Sequence, residues 1–177
     1  MQIINTIDTL IYNLIIKLMF TNMTKIMIVI SYLGSATVLI SLALASIVIL
    51  KNKRESKYIA INLVVVFLLN RILKVTFARP RPDILRLVSE DGFSFPSGHS
   101  MVSMGFYGFL IYLIFKKVDN KKIKYPLMII LSALILLIGL SRIYLGVHYF
   151  TDVIGGFIIA IMYLVLFIKI LYNNKKI

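Results

Sequence analysis

Cysteine is absent from this chain of 177 residues. Its absence excludes disulfide bonds, thiol catalysis, thiolate zinc sites and iron–sulfur ligation by cysteine. The first ten residues, MQIINTIDTL, contain no basic residue, and no small-residue cleavage site follows them. We therefore expect no removable signal peptide.

Acidic residues are scarce as well, since seven Asp and Glu stand against twenty Lys and Arg, giving a formal net charge of +13 at pH 7. The cations come in short clusters between apolar runs and do not form one basic face, so membrane topology explains them better than nucleic-acid binding. Hydrophobic residues make up 60% of the chain, which is outside the soluble range and predicts a membrane protein.

Five apolar runs predict an all-α, polytopic membrane helix bundle. The run from Ile26 to Leu50 carries no charge over 25 residues, which is enough to cross a hydrocarbon core of about 30 Å. The other four predicted spans are Tyr58 to Ala78, Ser100 to Phe115, Tyr125 to about Leu145, and about His148 to Tyr172.

The N-terminal segment, residues 1–22, has a different pattern. Apolar residues recur at helical spacing from Ile3 to Leu18, while polar residues share the other side. This pattern favours an amphipathic helix lying in the membrane interface, because a sixth span would have to carry Asp8 and Lys17. Residues 23–177 are then expected to form one transmembrane domain.

Basic residues in the short connections predict the orientation. Clusters at 51–57, at 116–124 and at the C-terminal end are expected to be cytoplasmic, together with the C-terminus. The connection at about 79–99 would then face the outside. The outward side should be poor in cations, so its unexpected cations suggest a site for anions; they are Lys74, Arg79, Arg81, Arg86 and Arg142.

The segment KVTFARPRP is the first of three polar clusters. Lys74 lies two helical turns before Arg81, so the two cations can share a face, and Pro80 and Pro82 end the helix. Two cations snorkelling to the membrane surface beside a helix stop are an equally open interpretation.

The segment FSFPSGHS, residues 93–100, is the second cluster. Ser97 offers a hydroxyl group, Gly98 lets the backbone approach a ligand, and a helix is expected to begin near His99. Backbone amides at a helix N-terminus favour an anion. A capped helix start with a surface histidine is the alternative.

The segment SRIYLGVHYFTD, residues 141–152, is the third cluster. His148 and Asp152 are spaced i,i+4 at the predicted start of the last helix, so Asp152 can accept the Nδ1 proton of His148 and leave Nε2 free as a nucleophile. Arg142 lies six residues before His148. A helix-start aspartate paired with an interfacial histidine is the alternative. All three clusters map to the outward membrane edge, where cations, amides and two histidines would suit phosphoryl transfer.

Together the clusters resemble the signature of the type 2 phosphatidic acid phosphatase superfamily. Its pattern is Lys, six residues, Arg-Pro; then Pro-Ser-Gly-His; then Ser-Arg, five residues, His, three residues, Asp. Every position is matched, by Lys74, Arg81, Pro82, Pro96, Ser97, Gly98, His99, Ser141, Arg142, His148 and Asp152.

The resemblance implies a metal-independent, cofactor-free lipid phosphatase or diphosphatase in a bacterial cytoplasmic membrane, with its active site on the extracytoplasmic side. Undecaprenyl diphosphate and phosphatidylglycerophosphate are the favoured substrates, membrane lipids are the other partners, and no obligate protein partner is expected. His148 would be the nucleophile, Asp152 would orient it, and His99 would protonate the leaving group. The phosphate would be held by Lys74, Arg81, Ser97, Gly98 and Arg142.

Five charges near the clusters lie outside this signature. Arg79 and Arg86 are interpreted as solvated loop charges in preference to contacts with a second phosphate. The spacing of Asp83, Glu90 and Asp91 demands no magnesium site. Three alternative functions stay open: a phosphatidate or diacylglycerol pyrophosphate phosphatase, a vanadate-binding haloperoxidase, and a silent protein that binds or transports anionic lipids.

Overall fold

Seven helices and no strand are found in residues 2–50, 53–83 and 85–173, which the computed structural model describes. They are α1 (Gln2–Ile16), α2 (Thr21–Tyr32), α3 (Ala36–Ile49), α4 (Lys53–Phe77), α5 (Gly98–Lys117), α6 (Lys121–Tyr144) and α7 (Phe150–Asn173). The prediction of an all-α protein is confirmed.

Four of these helices, α4 to α7, are each long and apolar enough to cross a membrane. The pair of α2 and α3 gives a fifth span if the two are counted together. Large apolar side chains such as Val48, Val75 and Val165 lie exposed on the outside of the bundle. Such a surface is stable in lipid and not in water, and the prediction of about five spans is confirmed.

The first predicted span is not one continuous helix, because it bends by 45° between α2 and α3. Gly34 lies at the bend, and a Cβ atom there would be 2.6 Å from Cγ2 of Ile138 and 2.8 Å from Oγ of Ser103. The hydroxyl group of Tyr107 donates to the Leu33 carbonyl at 2.7 Å, which satisfies a backbone group freed by the break. The run contains no proline, and at the break Gly34 packs tightly against α5 and α6.

Helix α5 occupies the centre of the bundle and packs against α4, α6 and α7. Glycines allow close approach, as predicted: a Cβ atom at Gly105 would lie 2.8 Å from Val66, and one at Gly139 would lie 2.5 Å from Phe157. Consecutive spans alternate in direction. The end of α4, the start of α5, the end of α6 and the start of α7 consequently meet at one end of the bundle.

The connection between α4 and α5 folds over this end. Within it, the Ser94 amide donates to the Arg79 carbonyl at 2.7 Å, and the Leu87 amide donates to the Leu145 carbonyl at 3.0 Å. Gly146 has a φ of +72°, and a Cβ atom there would lie 2.2 Å from the Leu85 carbonyl oxygen. Only glycine fits this turn beneath the connection.

Helix α1 packs against α6 and α7. Its Asp8 is buried against the bundle, whereas Leu10 and Leu14 are each 59% exposed. The amphipathic pattern therefore has a polar side chain inside and apolar side chains outside, an arrangement suited to a helix surrounded by lipid. Its position in the membrane interface and the division at residue 22 stay predictions.

Candidate functional site

The eight predicted site residues all come from the end of the bundle where α4 to α7 meet. Each is placed by the end of a helix or by the turn beside it. Lys74 is in the last turn of α4, and Arg81 follows that helix. Ser97 caps α5, which begins with Gly98 and His99. Arg142 is in the last turn of α6, His148 precedes α7, and Asp152 is in the first turn of α7.

Direct contacts join the three clusters. Nη1 of Arg81 lies 3.3 Å from Nε2 of His148, and the Ser97 amide donates to the Asp152 carbonyl at 3.1 Å. Lys74, Arg81, Gly98 and His99 line the same cavity. The structure thus brings together side chains that are up to 78 residues apart in sequence, from position 74 to position 152.

The contacts of the His148 ring determine its tautomer. Arginine can only donate, so Nε2 of His148 must accept from Arg81, and the ring proton is on Nδ1. Nδ1 lies 3.3 Å from Oγ of Ser94, which donates to Oδ2 of Asp152 at 2.5 Å. His148 therefore carries its lone pair on the nitrogen that faces the cations.

The predicted pairing of His148 with Asp152 is seen as a close approach and not as a direct hydrogen bond, and the orienting role of Asp152 stays a prediction. Nδ1 of His148 and Oδ2 of Asp152 are 3.6 Å apart, beyond hydrogen-bond distance. His148 lies in the turn before α7 and not within the helix, and Ser94 fills the gap. Ser94 lies within the second cluster, but no spacing rule connects a loop hydroxyl group with a histidine 54 residues later.

Burial controls the charge of His148. The residue is 2% exposed, and loss of solvation lowers the pKa of its imidazole to about 4, although the nearby Asp152 carboxylate acts in the opposite direction. The imidazole is therefore neutral at pH 7. A neutral imidazole is the nucleophilic form.

The carboxylate of Asp152 is fully buried and held on both oxygens. Oδ1 accepts from Nη1 of Arg79 at 2.6 Å, and Oδ2 accepts from the Tyr149 amide at 2.9 Å. The Arg79 guanidinium also lies 4.1 Å from the centre of the Tyr149 ring. The interpretation of Arg79 as a solvated loop charge is wrong, because its guanidinium is paired with the predicted catalytic carboxylate.

The same guanidinium connects the site to α1. Nη2 of Arg79 donates to Oδ2 of Asp8 at 2.8 Å, and the amide and hydroxyl groups of Thr151 donate to Asp8 at 2.9 and 2.8 Å. Asp8 was assigned to the polar side of a surface helix, where nothing in the sequence indicates a partner 71 residues away. Asp8, Arg79 and Ser94 are site residues that sequence reasoning missed.

Glu90 lies between two of the predicted phosphate ligands. Its carboxylate pairs with Nη2 of Arg142 and lies 3.8 Å from Nη2 of Arg81. Nε of Arg142 is buried, and within residues 2–50, 53–83 and 85–173 it has no hydrogen-bond partner. These cations therefore form a cage that holds a carboxylate and has a further donor available for an anion oxygen.

The other members of the acidic trio do not join Glu90 in a cluster. Asp83 and Asp91 are exposed. In the part of the chain that the structure describes, no group of three or more His, Asp or Glu side chains is arranged to hold a metal ion.

Backbone contacts fix the positions of the cage. Lys74 donates to the carbonyl of Phe93 and, at 3.4 Å, to that of Ser94. Arg81 donates from Nε to the Gly92 carbonyl at 3.0 Å and from Nη1 to the Val147 carbonyl at 2.9 Å. These bonds leave both cations little freedom, so the cage is formed before an anion binds.

An apolar cavity of about 630 Å³ adjoins the cage. Its polar end is formed by residues such as Lys74, Arg81 and His99, and its walls come mainly from α3 and α4. Wall residues including Ile40 and Leu68 are exposed on the outside of the bundle. The cavity is thus open sideways, towards the region that lipid tails would occupy.

Comparisons with known proteins identify the family. A sequence model of the PAP2 superfamily matches residues 32–176. Phosphatidylglycerophosphatase B of Bacillus subtilis (strain 168) is 44% identical over 99 residues, covering 54% of this chain and 47% of that protein. Undecaprenyl-diphosphatase BcrC of the same organism is 30% identical over 125 residues, covering 67% and 59%. The chain therefore spans about half the length of the curated relatives it matches.

Two solved structures share the fold. The crystal structure of a transmembrane PAP2 type phosphatidylglycerolphosphate phosphatase from Bacillus subtilis matches with a TM-score of 0.89 at 30% identity, covering 100% of this chain and 89% of that one. The crystal structure of Aquifex aeolicus LpxE matches with a TM-score of 0.71 at 27% identity, covering 90% and 93%. Since the family match covers most of the chain and contains all three polar clusters, the protein belongs to the PAP2 superfamily.

Proposed function

We propose that the protein is a membrane lipid phosphatase or diphosphatase that acts through a phosphohistidine intermediate. One observation carries the proposal: the unprotonated Nε2 of His148 lies 3.3 Å from Arg81, in a cage whose two arginines already bind a carboxylate. A lipid phosphate that displaced Glu90 would bring its phosphorus atom close to a neutral nucleophile.

In the first step, the Nε2 lone pair of His148 attacks phosphorus and the bond from phosphorus to the lipid oxygen breaks. Lys74, Arg81, Arg142 and the α5 N-terminus would stabilise the charge on the equatorial oxygens. His99 lines the apolar cavity, where the departing lipid would lie, so it is placed to protonate the leaving oxygen.

In the second step, water attacks the phosphohistidine from the side that the leaving group has vacated. His99, now neutral, accepts a proton from this water, the nitrogen–phosphorus bond breaks, and inorganic phosphate leaves with His148 restored. The Asp152–Ser94 pair keeps the Nδ1 proton of His148 in place through both steps.

The substrate proposed is phosphatidylglycerophosphate or undecaprenyl diphosphate. The names of the two Bacillus relatives support these lipids, and the apolar cavity beside the cage supports a substrate whose tail stays in the bilayer.

Release of phosphate by purified protein in detergent tests the proposal, with phosphatidate and diacylglycerol pyrophosphate as comparison lipids. We expect release that persists with a chelator and is inhibited by vanadate, which mimics the five-coordinate phosphorus. No release from any of these lipids would refute the proposed function.

We also propose that the site faces the extracytoplasmic side of the cytoplasmic membrane. The lysine-rich connection between α5 and α6 lies at the opposite end of the bundle from the site, and such connections favour the cytoplasm. Because the chain has no cysteine, single-cysteine variants at the exposed Ser89 and Lys122 test this directly. An impermeant maleimide should label Ser89→Cys in intact cells and Lys122→Cys only after permeabilisation; the reverse result would overturn the orientation.

A further inference from the structure

The cavity wall contributed by α4 carries a cation outside the cage. Residues on this face recur at helical spacing, so the cation shares the stripe with apolar side chains and with Lys74; the cavity-lining members of this stripe are Val64, Phe67, Leu68, Arg71, Lys74 and Val75. Arg71 is exposed and therefore faces both the cavity and the outside of the bundle. The lipid-facing wall thus has one positive charge set among aliphatic and aromatic groups.

Among the described residues, Arg71 differs from the other cations near the site because its side chain has no ion-pair or hydrogen-bond partner. Arg79, Arg81 and Arg142 each pair with a carboxylate, and Lys74 binds backbone carbonyls. Over residues 2–50, 53–83 and 85–173, Arg71 has neither an ion pair nor a hydrogen bond in the structure. A cation in a spanning helix is costly, and its usual partner is a ligand, a lipid group or another charge.

The position of Arg71 along α4 indicates where its ligand would lie. It precedes Lys74 by three residues, which places it about 4.5 Å nearer the middle of the helix. Lys74 belongs to the cage for the scissile phosphate, and the apolar cavity would hold the tail. A group bound by Arg71 would therefore lie between the scissile phosphate and the tail.

We propose that Arg71 binds a second phosphate of the substrate, on the tail side of the phosphate that is removed. The inference rests on the proposed lipid phosphatase activity. Phosphatidylglycerophosphate has such a phosphate one glycerol away, and undecaprenyl diphosphate has one across a single bridging oxygen. Phosphatidate has none. Arg71 thus makes the enzyme selective for lipids that carry two phosphates, and its long side chain reaches either spacing.

Substrate-dependent kinetics of Arg71→Gln test this selectivity. We expect kcat/KM for phosphatidylglycerophosphate and undecaprenyl diphosphate to fall about 10- to 100-fold, the usual effect of losing a charged hydrogen bond. The affinity for phosphatidate should change less than about twofold. It is measured as KM, or as the constant for inhibition by phosphatidate of the hydrolysis of a lipid that the enzyme accepts. Arg71→Lys should restore part of the loss, because it keeps the charge without the planar fork.

The control variant is Lys57→Gln, which removes one exposed positive charge from the far end of the same helix. It should leave all three lipids unaffected. A loss confined to one of the two doubly phosphorylated lipids supports the site and identifies the spacing it accepts. An equal loss of affinity for phosphatidate, or no loss of kcat/KM for any lipid, overturns the proposed role of Arg71. Neither result bears on the proposed phosphatase activity, which is tested separately by phosphate release from the unaltered protein.

Discussion

Alanine at position 148 should reduce phosphate release by at least about 10³-fold, the usual consequence of removing a catalytic nucleophile. The structure gives the reason. Nε2 is the ring nitrogen of His148 that carries a lone pair for attack, since Nδ1 carries the proton that faces Ser94. The measurement is single-turnover release of labelled phosphate from phosphatidylglycerophosphate or undecaprenyl diphosphate.

A chemical trap shows whether the loss is due to the nucleophile. Rapid quenching of the unaltered protein with labelled substrate should give a protein-bound phosphate that is stable in alkali and labile in acid, as a nitrogen–phosphorus bond is. His148→Ala should give none while retaining binding of vanadate in the cage of Arg81 and Arg142. Undiminished turnover in His148→Ala, or label retained in that variant, would refute the phosphohistidine mechanism.

The residues that sequence reasoning located share one physical property, which is their position at helix ends. Lys74, Ser97, Arg142 and Asp152 lie within a turn of the end of a span. Because consecutive spans cross the membrane in opposite directions, the number of spans between these positions places all of them at the same end of the bundle. Their side-chain chemistry then indicated an anion site without any knowledge of loop paths.

The features that were missed depend on packing and on the path of the chain between helices. Ser94 reaches His148 because the connection after α4 folds back over the bundle end, and that path is fixed by contacts such as Ser94 to Arg79. Asp8 meets Arg79 only because α1 packs on α6 and α7. Gly34 at the bend leaves no room for a Cβ atom beside Ile138, and hydropathy does not register such close packing.

Methionine at position 79 should reduce both activity and stability. The Arg79 side chain is 23% exposed and joins two carboxylates whose side chains are 2% and 0% exposed, those of Asp8 and Asp152. Its removal leaves two buried negative charges without their shared cation, at a cost of about 3 kcal/mol. Asp152 contacts His148 through Ser94, so if this contact orients the nucleophile as proposed, kcat should fall about 10- to 100-fold. KM should change little, since the phosphate cage is intact.

The control is Arg86→Met, which removes an exposed guanidinium that donates to the Pro82 carbonyl in the same connection. It should leave kcat unchanged and lower the stability by about 1 kcal/mol, the usual cost of a lost hydrogen bond. Denaturant titration in mixed micelles gives the stability, and steady-state phosphate release gives kcat and KM. An unchanged kcat in Arg79→Met would show that the ion pair with Asp152 has no part in the reaction.

The two roles of Arg79 separate in a double variant. Asp8→Asn removes one of the two unpaired charges while its side chain can still accept from Thr151, so it should recover part of the stability lost in Arg79→Met. It should not recover kcat, because Asp152 Oδ1 is still without its cation. Recovery of both quantities together would mean that α1 affects activity only through folding. Recovery of stability alone would establish that Arg79 positions the carboxylate that orients His148.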